Sequence, residues 1–143
     1  MDTPKEEIVM KELRGNSSGK VSRLMYLLLG VLFAIGVIMQ VMLAGMATFI
    51  DGLHWARHSM LIHAFGFNIP LFMLVAAFFG KMPRFAYWQV FGSLLLVFLL
   101  YFTANMRGTL PIVAALHPVI AMVLFMFSTW IVYKSWAFIL SKS

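Results

Sequence analysis

The chain contains no cysteine. That excludes disulfides, thiolate metal sites, iron–sulfur clusters and thioether-linked haem. Charge is scarce too. Asp, Glu, Lys and Arg make up 11% of residues and hydrophobic residues 62%, where a soluble domain is about a quarter charged and about half apolar. Acidic residues are the scarcer sign, five against eleven Lys and Arg, which leaves a formal charge of +6. The basic residues stand at the ends of apolar runs, as they do when they fix membrane topology. Nucleic acid is therefore not an expected partner. Deep inside the apolar runs there is no Asp, Glu, Lys or Arg at all. This argues against proton-coupled export through a membrane-embedded carboxylate.

What is present is apolar length. A spanning helix needs about 20 mainly apolar residues, and the 143 residues hold four such runs in one domain. The pattern predicts an all-α integral membrane protein, a four-helix antiparallel bundle. Residues 1–22 form a polar N-terminal segment and residues 23–143 the transmembrane domain, with spans at about 24–48, 57–80, 85–106 and 110–134. Within the N-terminal segment, residues 5–13 read either as a short surface helix carrying Ile8, Val9 and Leu13 or as a solvated tail. The segment lacks the features of a cleaved signal peptide. Asp51-Gly52 places His54 in the loop before the second span. Lys5, Lys11, Arg14, Lys20, Arg23, Lys81, Arg84, Lys134 and Lys142 lie on the side of the termini, and only Arg57 and Arg107 on the other. The excess predicts both termini in the cytoplasm and a bacterial inner-membrane location. Trp55, Trp88 and Trp136 fall near the predicted interfaces, where an amphipathic ring is favoured.

Function has to be sought in the polar groups that the spans carry. Counting from the basic residue at the cytoplasmic edge of each helix, 17 residues separate Arg23 from Gln40, Arg84 from Tyr101 and Lys134 from His117, and 18 separate Lys81 from His63. At about 1.5 Å per residue, 17 residues is roughly 26 Å, just inside the outer edge of a hydrocarbon core about 30 Å thick. Each helix thus brings a polar group to one level, and two of the groups are imidazoles. His63 and His117 lie on helices that run parallel and can face across the bundle. Neutral imidazoles so placed are suited to be axial ligands of a b-type haem. Arg57 and Arg107 stand where outward propionates would need cations. Gly66 would leave room beside the porphyrin, and Gly30, Gly36, Ala44, Gly45 and Gly92 would allow close approach of helices or a flat ligand.

Other readings of the same residues remain open. The histidine layer also suits hydrogen-bonded packing without a cofactor. Gln40 serves either to orient a ligand imidazole or to join helices. His58 lies about 140° round the helix from His63, so both cannot point at one iron. His58 is an alternative axial ligand, a propionate partner, a second ligand with His54 for an outer metal, or an exposed residue. The 12 methionines are scattered without paired spacing and read as adaptable packing rather than as a copper site. Pro118 either aims His117 or marks the first turn of a helix.

The stretch Trp55-Ala-Arg-His58-Ser-Met-Leu-Ile-His63-Ala-Phe-Gly66, with Ala115-Leu-His117-Pro118-Val and with Gln40 and Leu43-Ala-Gly45, resembles a family of small uncharacterised bacterial four-span membrane proteins. The layout is also similar to one half of haem A synthase, a four-helix bundle with a histidine opening its second helix and another opening its fourth. That resemblance implies His58 or His63, with His117, as haem ligands. The synthase places a carboxylate one turn before the histidine of its second helix. Here His54 and Trp55 occupy that region, so the synthase's own chemistry is not carried over.

The expectation is a membrane b-type haem protein for electron transfer or haem handling, not a catalyst by itself. Iron is held by His63 and His117 (or His58), and the partner is a quinol or another membrane redox protein, with a homo-oligomer or accessory subunit as further company. The rivals are a cofactor-free structural or accessory subunit and a non-haem metal or quinone site at His54, His58 and His63.

Overall fold

The computed structural model describes the backbone of residues 4–141 and the side chains of residues 17–141. Ile8, Val9 and Leu13, and the last two residues including Lys142, lie outside the described side chains. Apolar chain in lipid must satisfy its backbone internally, and all regular structure among the described residues is helical. The elements are α1 (Pro4–Phe49), α2 (His54–Phe65), α3 (Asn68–Phe79), α4 (Arg84–Asn105), a 3-10 turn (Met106–Gly108), α5 (Pro111–Ala114) and α6 (His117–Leu140). They make four helical stretches long and apolar enough to cross a membrane: Ser17–Phe49, His54–Phe79, Arg84–Gly108 and Pro111–Leu140.

Around the bundle, α1 packs on α2, α3 and α6, while α4 packs on α3 and α6. At the end where Arg23, Arg84 and Lys134 lie, hereafter the basic end, the ring of helices is closed. Tyr26, Met73, Ala77, Ala86 and Ile131 fill its centre. Lipid offers helices no hydrophobic drive to associate, so close packing must supply it. A methyl group at Gly36 would stand 2.8 Å from the Phe65 ring, and one at Gly92 only 2.6 Å from Phe127. Both aromatic rings sit in notches that only glycine leaves.

The second stretch is broken. Pro70 lacks the N–H that would reach the carbonyl of Gly66, and the helix parts between α2 and α3 at Gly66-Phe67. The Asn68 side chain repairs part of the break by donating to Ala64 O at 2.9 Å. Proline acts likewise at the fourth stretch. Pro111 opens α5 and Pro118 falls in the first turn of α6, so the chain jogs just before His117. Between Phe79 and Arg84 the link is tight. Lys81 adopts a left-handed φ of 47° and Met82 N–H donates to Ala77 O at 2.9 Å, the bond pattern of a Schellman cap. Arg23 Nε donates to the last carbonyl of this turn, Gly80 O, at 2.9 Å.

Two boundaries differ from the sequence expectation. His54 is not in the loop; it is the first residue of α2 and is buried. The loop shortens because Asp51 Oδ1 accepts from Leu53 N–H at 2.9 Å, a local turn that starts the helix early. The fourth span, expected to end at about residue 134, continues as helix to Leu140.

Candidate functional site

With α2 tied to the bundle mainly through α1 and continued by the broken-off α3, the half of the molecule away from the basic end is less tightly filled. A cleft of about 600 Å³ opens there among α1, α2, α4 and α6. That volume lies within the range of sites for cofactors and drug-sized ligands, about 300–1,000 Å³. Its wall is mainly apolar, with Val37, Ile62, Leu100, Ala121 and Leu124 among the lining residues. The polar groups on it include the four that the sequence places at one level, Gln40, His63, Tyr101 and His117, together with His58, Ser59 and Asn105.

His58 and His117 are built alike. His58 Nδ1 lies 3.0 Å from the backbone carbonyl of Gln40, and His117 Nδ1 lies 3.0 Å from the backbone carbonyl of Leu100. A carbonyl can only accept, so in each ring Nδ1 carries the proton and donates it. The neutral ring then keeps its lone pair on Nε2, the arrangement in which histidine binds metal. Thr103 Oγ1 adds a second contact to His117 Nδ1 at 3.2 Å, and the Trp55 ring packs edge-on to His58 with centroids 5.7 Å apart.

Gln40 meets His58 through two different groups. Its main-chain carbonyl fixes the His58 imidazole, while its side chain joins helices by donating Nε2–H to His58 O at 3.0 Å. The remaining amide oxygen, Gln40 Oε1, is buried without a partner and waits for a donor.

His63 is differently placed. It lines the cleft but is exposed, and its Nδ1 is 2.8 Å from the Tyr101 hydroxyl. The His63 and Tyr101 ring centroids are 5.3 Å apart, and Phe67 stacks on Tyr101 at 5.5 Å with 15° between planes. The ring anchored on a main-chain carbonyl as His117 is, is thus His58 rather than His63. The cause is the five-residue spacing, which turns His58 toward α1 and His63 toward α4.

Three other expected contributors stand apart from the cleft. Gly66 does not line it; a methyl group there would lie 2.7 Å from Ile62 O, so this glycine serves the end of α2. Arg57 donates from Nη1 to His54 Nδ1 at 3.3 Å, and Arg107 is exposed on the 3-10 turn. Neither arginine lines the cleft. Because His54 Nδ1 accepts, the proton of its neutral ring sits on Nε2, and no lone pair is left for a shared metal with His58. Among the described residues no group of three or more His, Asp or Glu could hold a metal ion.

A second polar layer, near the basic end, was not foreseen. The buried Tyr26 hydroxyl lies 2.9 Å from Gln89 Oε1 and 3.1 Å from Ala86 O. Ser93 Oγ donates to Gln89 O at 2.9 Å. Gln89 Nε2 and Ser135 Oγ are buried without partners. The signal was a glutamine five residues into the third span, passed over because only the histidine level was compared.

Residues 40–109 match the sequence model of a family of unknown function, DUF6220. The matched segment takes in Gln40, His58, His63 and Tyr101, includes the third span, and stops before His117. No curated protein and no solved structure matches the chain, so the likeness to haem A synthase rests on layout alone.

Proposed function

We propose that this chain is a four-span protein of the bacterial inner membrane, with both termini cytoplasmic, and that its cleft binds a b-type haem through His58 and His117. The observation that carries this reading is the pair of imidazoles on one apolar cleft, each with Nδ1–H given to a main-chain carbonyl and Nε2 left with its lone pair. Axial haem ligation asks for that tautomer, a flat apolar space and no third protein ligand. The cleft's volume suits it.

When bound, such a haem supplies a reversible one-electron couple at iron. The chain's own part is to present two neutral imidazoles in fixed orientation and to surround them with Val37, Leu100 and Leu124, which exclude water. Ligation by both His58 and His117 would favour electron transfer or haem handling over chemistry at iron.

The test is the visible spectrum of detergent-purified protein, oxidised and dithionite-reduced, after haem supplementation. A Soret band that sharpens and shifts on reduction is expected. His58→Ala and His117→Ala should each abolish the six-coordinate spectrum, and His63→Ala should retain it. The opposite ranking of His58 and His63 would overturn the ligand assignment. A purified chain that takes up no haem would leave a structural or accessory subunit.

A further inference from the structure

We infer that the exposed side of the cleft, where His63 and Tyr101 meet, binds the headgroup of a membrane-soluble hydroquinone and accepts its protons. The inference rests on the haem reading for the fate of the electrons, not for the binding itself.

His63 sits exposed in a stretch apolar enough to span a membrane, between Ile62 and Ala64. A polar ring left against hydrocarbon is costly unless something pairs with it. Tyr101 satisfies Nδ1 at 2.8 Å and leaves Nε2 for an incoming group. The partner that fits is itself lipid-soluble, flat and aromatic, and bears oxygen at its edge. Phe67, stacked on Tyr101, holds the phenol plane and extends the aromatic surface. Asn105 gives its amide Nδ2–H to Tyr101 O at 2.9 Å and keeps its carbonyl oxygen, on the same cleft, for a second hydroxyl.

The His63–Tyr101 contact can run in either direction, which suits both redox forms of such a ligand. When the phenol donates to Nδ1, Nε2 carries the proton and donates to a quinone carbonyl. When Nδ1–H donates to the phenol oxygen, Nε2 is an acceptor for a hydroquinone O–H. Oxidation of one hydroquinone releases two electrons and two protons. The haem that His58 and His117 would hold would supply the one-electron couple that takes these electrons singly, with a one-electron acceptor protein as the final oxidant. Each proton leaves the hydroquinone oxygen for His63 Nε2 and passes to the outer water, and the quinone returns to the lipid.

The experiment titrates a short-tailed benzoquinone into the purified full chain and follows tryptophan fluorescence, since Trp55 lines the cleft. An alcohol of the same tail is the control. Saturable quenching is expected for the wild type. Losing one hydrogen bond near the ring should weaken apparent affinity about tenfold in His63→Ala and a few-fold in Tyr101→Phe, with helix content by circular dichroism unchanged. Anaerobic mixing with the hydroquinone should reduce the haem at least about tenfold more slowly in His63→Ala, whose Soret band stays intact. If both variants bind and are reduced as the wild type is, the hydroquinone site is wrong while the haem stands. If His63-dependent quinone binding appears in a protein that takes up no haem, the site stands and the haem reading falls.

Discussion

At the scale of single residues, the polar atoms sort into those with partners and those without. The Tyr26 hydroxyl is the main partner of the fully buried Gln89 side chain, whose Nε2 is already unsatisfied. Removing that hydroxyl leaves both ends of the amide unpaired. Tyr26→Phe should therefore cost about 1–2 kcal/mol, read as a lower unfolding midpoint in detergent titrated with denaturant. An unaltered midpoint would mean that the hydroxyl contributes nothing. The sequence showed which residues share a level, because counting along a helix gives depth. It did not show which of His58 and His63 is held by a main-chain carbonyl. That depends on the rotation of α2 about its axis, which is set by its break from α3.

Helical elements carry the next level of argument. The break between α2 and α3 follows from Pro70, and Asn68 compensates by bonding Ala64 O. Asn68→Leu removes the compensation in a region where water cannot replace it. The change is expected to lower thermal stability by about 1 kcal/mol and to weaken haem retention, measured as haem loss to an apo-globin trap. Retention equal to wild type would show that the break does not position the cleft. Four long helices were legible because their apolar runs exceed anything a soluble core needs. The start of α2 was not, since a local Asp51 turn overrides the loop signal of Asp51-Gly52. Nor was the interruption before α6, because Pro111 and Pro118 act together and each alone is compatible with a helix start.

The whole molecule is apolar outside and polar at selected points inside. Phe78, Phe79, Ile112 and Met126 are all exposed, at 69%, 63%, 85% and 69%, while Gln89, Ser93, Ser128 and Ser135 have no exposure. That distribution suits lipid and is untenable in water. Exposed Trp88 and Trp136 lie toward the basic end, where headgroups would meet the bundle. Reporter fusions at either terminus should score as cytoplasmic, and a reporter inserted at Gly52 as external. A reporter at Gly52 that scores as cytoplasmic would reverse the topology and move the cleft to the other leaflet.

The His58 and His117 imidazoles take their aim from peptide oxygens at positions 40 and 100, and a peptide oxygen is there whatever the amino acid. The tautomer of each ring is consequently indifferent to the side chains at those two positions and vulnerable only to a change in the path of α1 or α4. A change of side chain at 40 or 100 leaves in place the carbonyl that orients each ring. The device that prepares these rings leaves no trace in the alphabet of the sequence.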